Sequence, residues 1–170
     1  MTKVLFNGTG LRPVFRLVIF AAFLLWADTV QPAVFKSESF TIRLPENWDN
    51  NPQRIGSSLV FYTLPELGPQ ACLLIAVQAS ANIETSDFTR AVKTVLKEQC
   101  PGVNFLLERE VEQAGARWNE LIYAYSGMEF LQVMTVKGGG SYSFMATTPE
   151  GLFKERLPGF RDIFSTWRFE

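Results

Sequence analysis

The sequence predicts an α+β domain, with a mostly antiparallel sheet and helices packed on it. Alternating apolar and polar residues, which are typical of strands, recur along most of the chain. Helical spacing of apolar residues is found in two places only, after Thr85 and after Pro149. Short turns that contain glycine separate the later strands, as in antiparallel hairpins. The order of strands, helix, antiparallel meander and second helix is that of an α+β fold.

Length and composition exclude several classes of protein. A chain of 170 residues fits one domain, and a hydrophobic content of 47% excludes intrinsic disorder. The sequence contains no histidine, which excludes a histidine-dependent triad, a histidine-ligated metal and a histidine general base. The net charge of -1 argues against a nucleic-acid partner, because such binding needs a basic face.

The N-terminal segment has the pattern of an export leader. Residues 1–16 carry three basic side chains and no acid, and residues 17–27 form an uncharged apolar run. This run is shorter than the roughly 20 apolar residues of a membrane span. We therefore expect residues 1–33 to be a signal peptide, or a short anchor in the inner membrane if they are not cleaved. Residues 34–170 would be a single exported, periplasmic domain.

The first half of the domain is predicted to contain three strands and one helix. The strands fall within residues 37–48, 58–64 and 72–78, and the third is apolar on both faces, so we expect it to be central in its sheet. The helix begins at Thr85 or Ser86, either of which can cap it. It ends before a Pro-Gly pair, and its apolar stripe consists of Phe88, Ala91, Val92, Val95 and Leu96.

The second half is predicted to be a meander followed by a broken helix. Strand patterns cover residues 103–112, 117–126, 129–137 and 141–148, and a tight hairpin turn at Gly127 separates the middle two. A helical turn then begins near residue 152, is interrupted by Pro158, and is followed by helical spacing over residues 160–167. The last residues form a short strand or an extended tail.

Two cysteines and a row of acids are candidates for chemistry. An even cysteine count in an exported chain indicates a disulfide between Cys72 and Cys100, the alternative being two separate buried thiols. Glu108, Glu110 and Glu112 alternate, so they share one strand face. They would form either a weak divalent-cation site or a solvated face, and we favour the solvated face. No metal site and no cofactor is expected.

Several segments together resemble the PsbP-like fold over residues 37–169. They are SESFTIRLPENW, the single amphipathic helix after the third strand, the hairpin series that begins at GARWNELIYAYSG, and the closing FRDIFSTWRF. The group includes PsbP, a Ran-binding nuclear import factor, the DcrB lipoprotein and the Eag-type chaperones. The resemblance implies an α/β/α sandwich around an antiparallel sheet and a non-enzymatic binding or accessory role. It transfers no functional residue to this sequence.

The aromatic residues supply the candidate binding surface. Both faces of the strand over residues 117–126 are substantially apolar. Either helices and loops cover both faces, so that these aromatic residues belong to the core, or the two helices of moderate length leave part of the sheet uncovered. An uncovered patch that is rich in tyrosine and tryptophan is typical of a partner site. The candidate residues are Trp118, Tyr123, Tyr125 and Tyr142.

These observations predict an exported, non-catalytic binding or accessory protein of the bacterial cell envelope, not an enzyme, that acts through protein–protein contacts. The expected partner is an envelope protein or peptide segment, with no nucleic acid, and the membrane is contacted only through an uncleaved leader. The alternative is a carrier of a small ligand or lipid. Its cavity would lie between the sheet and the helix, lined by Phe88, Val92 and Leu96.

Overall fold

The computed structural model describes residues 32–64, 71–80 and 83–170. These residues form ten strands and two helices. The strands are β1 (Ala33–Lys36), β2 (Phe40–Leu44), β3 (Gln53–Ile55), β4 (Ser58–Tyr62), β5 (Cys72–Ala79), β6 (Asn104–Gln113), β7 (Ala116–Tyr125), β8 (Met128–Lys137), β9 (Gly140–Pro149) and β10 (Arg168–Phe169). The helices are α1 (Thr85–Gln99) and α2 (Phe153–Ser165).

The strands form two sheets. The large sheet has seven strands in the order β3-β4-β5-β9-β8-β7-β6, and the small sheet has three in the order β1-β2-β10. Every pairing is antiparallel. This arrangement confirms the predicted α+β class.

Three tight turns connect the four long strands β6 to β9. In each turn both residues have positive φ, at Ala114-Gly115, Ser126-Gly127 and Gly138-Gly139. Two residues with positive φ are the signature of a type I′ turn, whose twist matches that of the flanking strands. The turn after β7 consists of Ser126 and Gly127, because Tyr125 pairs with Met128. The sequence pattern placed Ser126 in the preceding strand and only Gly127 in the turn.

The main core lies between the large sheet and a second layer that consists of the small sheet and α2. Alternate residues of β2 point into this core, and Phe40 stacks on Trp167 with ring centroids 4.5 Å apart. The buried side of α2 consists of Phe153, Phe160, Ile163 and Phe164. The small sheet as a covering layer was not predicted, because β1 and β10 have only four and two residues.

The opposite face of the large sheet carries α1. Phe88, Val92 and Leu96 pack on a smaller core cluster of Leu121, Tyr123 and Met134. The other two residues of the predicted stripe, Ala91 and Val95, are exposed. The layers are therefore α1, the large sheet, and α2 with the small sheet, as the predicted α/β/α sandwich requires.

Neither Thr85 nor Ser86 caps helix α1, because the helix already begins at Thr85. The N-cap is Glu84, whose side chain makes no capping hydrogen bond. The Thr85 hydroxyl instead accepts a hydrogen bond from the backbone amide of Val136 on β8, at 3.1 Å. Thr85 therefore joins the helix to the sheet and does not cap it.

Two other elements differ from expectation. Helix α2 is continuous through Pro158, which is exposed, so the broken helix was wrong. The buried residues Phe153 and Phe160 lie before and after Pro158. Their packing stabilises the helix although proline donates no amide hydrogen bond. Strand β5 is internal to its sheet, but it buries only Leu73 and Ile75, while residues of the other face, such as Leu74, are half-buried.

The predicted leader lies almost entirely outside the described residues, which begin at Pro32. Strand β1 begins at Ala33, which is the last residue of the predicted leader. Among the residues that the structure describes, no helix is long and apolar enough to span a bilayer.

Candidate functional site

Two of the four candidate aromatic residues are buried. Trp118 is 0% exposed and Tyr123 is 3% exposed. Trp118 lies on the sheet face that α2 and the small sheet cover. It packs there on Phe164 of α2 and on Trp167, at centroid distances of 5.0 and 5.3 Å. Tyr123 faces α1 on the other side of the sheet. The expectation that both belong to an exposed surface was wrong, because the small sheet and α1 cover the two positions.

The other two candidates, Tyr125 and Tyr142, are half-buried and also lie on opposite faces of the sheet. Tyr142 packs edge-on against Phe169 at 5.0 Å and pairs with Val77 of β5. The four residues therefore do not form one surface. Contact of Tyr125 or Tyr142 with a partner stays a prediction.

The phenol of Tyr123 begins a polar chain across three strands. Its hydroxyl donates to the Gln132 side-chain oxygen at 3.2 Å, and the Gln132 amide donates to the Ser143 hydroxyl at 3.1 Å. Burial, and secondarily the charge of a Cys100 thiolate, raise the pKa of Tyr123 well above its ordinary value. A phenol that resists ionisation is a poor base and nucleophile. We therefore assign the hydrogen-bonded row of Tyr123, Gln132 and Ser143 a structural role.

Both cysteines are free thiols, so the expected disulfide is not seen. Cys72 lies on β5, whereas Cys100 follows α1, where its backbone amide donates to the Leu96 carbonyl at 2.8 Å. Burial raises the pKa of the Cys72 thiol. Since the thiolate is the reactive form, this shift disfavours nucleophilic chemistry at Cys72.

The acid row of β6 is matched by basic neighbours. Glu108 pairs with Lys93 of α1 at 2.5 Å, and Glu110 pairs with Arg117 at 3.7 Å. All three acids of the row are exposed. Within the described ranges, no group of three or more acidic or cysteine side chains is arranged to hold a metal ion.

A buried acid that was not singled out from the sequence is the centre of an ion-pair network. Glu120 of β7 is 2% exposed, and its carboxylate accepts hydrogen bonds from Arg109 at 3.0 and 3.2 Å and from Arg161 at 2.5 Å. The network joins β6, β7 and α2. Its sequence signal was an acid placed between Trp118 and Ile122 on an otherwise apolar face.

A groove between the two sheets is the strongest candidate site, because its lining includes large apolar side chains. We call it the inter-sheet groove, and its volume is about 750 Å³, within the range of ligand sites in proteins. Apolar side chains form its walls and polar side chains form its rim. The lining residues are Phe35, Lys36, Ser37, Glu38, Ser39, Phe40, Arg54, Ser57, Leu59, Ile75 and Val77.

The stacking of the sheets fixes where this groove opens. Phe35 of β1 contacts Phe61 of β4 edge-on at 5.1 Å, so β1 lies over β4. Phe169 of β10 stacks on Trp118 of β7 at 5.7 Å, so β10 lies over the other half of the large sheet. The open edges of the two sheets, β1 and β3, are therefore on the same side of the sandwich. The groove opens between them.

The rim of the inter-sheet groove carries three charged side chains, Lys36, Glu38 and Arg54. Lys36 is paired with Glu170 at 2.8 Å, and the Glu170 carboxylate also accepts a hydrogen bond from Thr41. Arg54, on β3, is exposed and forms no ion pair with any described residue. Since Arg54 pairs with Leu59 in register, the two side chains share the groove face of the sheet.

A second groove, of about 570 Å³, lies between α1 and strands β6 and β7. Its helix side carries Arg90, Lys93 and Lys97, and its strand side carries Glu108, Arg109 and Glu110. Most of these charged side chains already form ion pairs, with one another or with neighbouring residues, and the walls lack large apolar side chains. This groove is therefore a weaker candidate for a binding site.

The predicted carrier cavity between sheet and helix is not formed by its expected residues. Phe88, Val92 and Leu96 pack directly on the smaller core cluster and line neither of the two grooves described above. The reason is the bulk of Tyr123 and Met134, which point from the sheet towards α1. The residues of the inter-sheet groove were missed because its walls come from strands far apart in sequence.

This architecture is similar to that of solved protein structures. The chain superimposes on the solution structure of the cyanobacterial PsbP, CyanoP, from Synechocystis sp. PCC 6803, with a TM-score of 0.62 and 15% identity over 85% of this chain and 96% of the other. The chain has the PsbP-like fold. It also superimposes on PA94 of Pseudomonas aeruginosa, described as a putative regulator of unknown function, with a TM-score of 0.59 and 17% identity over 80% and 95% of the two chains.

The PsbP-like fold confirms the resemblance found in the sequence. No protein-family model and no curated protein matches the chain. At 15 and 17% identity, the two superpositions establish the fold alone. The function of this PsbP-like domain has to be inferred from its own surface.

Proposed function

We propose that the chain is an exported, non-catalytic binding protein of the cell envelope, which holds a segment of a partner protein in the inter-sheet groove. The observation that carries this proposal is the groove itself, an open cleft of about 750 Å³ with apolar walls between two sheet edges. Burial of apolar surface stabilises a complex by roughly 25 cal/mol per Å², before the costs of association are subtracted.

Binding suits this groove better than catalysis does. The sequence has no histidine to act as a general base near neutral pH. The buried acid Glu120 faces two guanidinium groups, and Arg109 donates to both of its carboxylate oxygens. The groove offers instead an aromatic wall in Phe35 and aliphatic walls in Leu59 and Val77.

Site-specific photo-cross-linking in intact cells tests the proposal. A benzoylphenylalanine in place of Phe35 lies in the inter-sheet groove, and the same group in place of Arg43 lies on the outer face of β2 and serves as the matched control. We expect a discrete cross-linked protein from the position of Phe35 and none from that of Arg43. The added substitution Val77→Glu should abolish the cross-link, since it places a charge on the apolar wall.

Two results would contradict the proposal. One is the same set of cross-linked proteins from the positions of Phe35 and Arg43, which would make the groove no special site. The other is a cross-link from the position of Phe35 to an acyl chain, which would favour a lipid carrier. Circular dichroism melting of the Val77→Glu variant verifies that loss of the cross-link reflects the groove and not unfolding.

A further inference from the structure

We propose that the partner segment binds as an extended strand that pairs with the open edge of β1 and presents an acidic side chain to Arg54. This inference rests on the proposed function, because it specifies how the inter-sheet groove is filled. Strand addition at an exposed sheet edge is an established mode of peptide recognition, in which main-chain hydrogen bonds provide affinity and alternate side chains provide specificity.

The backbone of β1 is available for such pairing. Among the described residues, β1 is hydrogen-bonded to β2 alone. The amide of Ser37 donates to the carbonyl of Phe40 at 2.9 Å, which fixes the alternation of the ladder. By that alternation, Phe35 turns its backbone groups towards β2, whereas Val34 and Lys36 turn theirs towards the open edge.

The side chains around this edge suit an alternating segment. A strand placed about 4.8 Å beyond β1 would direct every second side chain into the groove, towards Leu59 and Val77. Its remaining side chains would lie beside Val34, which is 60% exposed on the outer side of β1. Apolar residues in both sets would therefore bury surface that is otherwise in contact with water.

Charge selects the polar residue of the segment. Arg54 is a rim guanidinium without an ion-pair partner among the described residues, whereas Lys36 already pairs with Glu170. The acid of the rim, Glu38, lies in the turn after β1 and not on the strand. A carboxylate is the natural complement of a free guanidinium, through charge-assisted hydrogen bonds.

The other long open edge of the molecule is protected against strand addition. Strand β6 exposes Glu108, Arg109, Glu110 and Glu112 along its length, and its register shifts between Phe105 and Leu107. Charges and bulges of this kind are how natural sheets prevent edge pairing. Strand β1 carries one charge in four residues and no such irregularity.

Selection of random 12-residue peptides displayed on phage against the full chain is the first test. We expect selected peptides to alternate apolar residues and to carry aspartate or glutamate at one fixed position. The variant Arg54→Glu should switch that position to lysine or arginine. The control variant Arg43→Glu, which reverses an exposed charge on the outer face of β2, should leave the selected pattern unchanged.

Main-chain pairing is tested separately with one synthetic peptide of the selected sequence. N-methylation of the alternate amides that face β1 should weaken its affinity about 3- to 10-fold per amide, as loss of one hydrogen bond predicts. N-methylation of the intervening amides should have a smaller effect. Arg54→Glu should weaken binding of the acidic peptide at least about fivefold.

Three results of the selection would overturn the inference: no peptide enriched above the level of an unrelated protein, selected peptides without alternation, or an unchanged charge preference in Arg54→Glu. Equal binding of the two N-methylated peptides would also overturn it. A cross-link from the position of Phe35 to a partner protein would persist in each of these cases if the proposed function alone is correct. Loss of that cross-link would instead remove both proposals.

Discussion

Arg109 on β6 donates two hydrogen bonds to the buried carboxylate of Glu120 on β7, at 3.0 and 3.2 Å. Arg161 of α2 donates to the same carboxylate. An edge strand, an inner strand and the second helix are thus fixed to one buried charge. Hydrogen bonds to charged groups contribute more to stability than neutral ones, so this contact adds to the apolar packing that holds α2 on the sheet.

We expect Glu120→Gln to lower the free energy of unfolding by about 3 kcal/mol, since the variant removes a buried charge from two guanidinium partners. Urea denaturation measures the change. The matched control is Glu110→Gln, because the pair of Glu110 and Arg117 is exposed on both sides. The control should change stability by less than about 0.5 kcal/mol, and equal losses in both variants would contradict the structural role of Glu120.

Trp118→Ala and Tyr123→Ala should each destabilise the fold by about 3–5 kcal/mol, because both side chains are buried in core clusters and their truncation leaves cavities. Thermal melting followed by circular dichroism detects the loss. Tyr125→Ala, at a half-buried position on the same strand, should lower stability by about 1 kcal/mol. An unchanged melting temperature for Tyr123→Ala would show that this residue is not in the core.

Alkaline pH should destabilise the fold through Tyr123. Burial raises the pKa of this phenol above its ordinary value of 10.0, so the folded chain retains the proton after the unfolded chain has lost it. The stability due to this shift is complete below pH 10.0 and falls as the pH rises further. We expect a slope of up to about 1.4 kcal/mol per pH unit in urea denaturation.

The variant Tyr123→Phe isolates this contribution, because it cannot ionise and keeps most of the ring packing. Its free energy of unfolding should fall less steeply than that of the parent chain above pH 10.0. Parallel pH profiles for the two proteins would show that Tyr123 is not the group responsible.

Both cysteines should be alkylated in the native protein without prior reduction, because both are free thiols in the structure. Burial raises the pKa of Cys72, so its alkylation at pH 8 should be slower than that of a cysteine in a short model peptide. Mass spectrometry of digested protein after timed alkylation measures each rate. A peptide pair linked through Cys72 and Cys100 would restore the original disulfide hypothesis.

The sequence predicted most elements because local patterns control them. The alternation of Phe40, Ile42 and Leu44 predicted β2, and the helical stripe that includes Phe88 and Leu96 predicted α1. Glycine in the turns between strands identified the meander. These signals depend on residues that are close in sequence, so one chain is enough to find them.

The binding site could not be predicted in the same way. Alternation places Trp118 and Tyr123 on opposite faces of a strand, but it does not show what covers each face. The covering layer depends on β1 and β10, which are too short to give a clear pattern and which pair through β2 over more than 120 residues of sequence. The inter-sheet groove depends on the same long-range pairing, and the contact of Glu120 with Arg161 joins residues that are 41 positions apart.

The tight connections between β6 and β9 have a consequence for how the molecule is assembled. Neighbouring strands in that meander can find one another quickly, since closing a two-residue link costs little chain entropy. The wall that carries Phe35 must wait, because β2 has to meet β10, which pairs Thr41 with Arg168. The meander is therefore expected to form early and the inter-sheet groove last, so slow refolding steps should report on the groove.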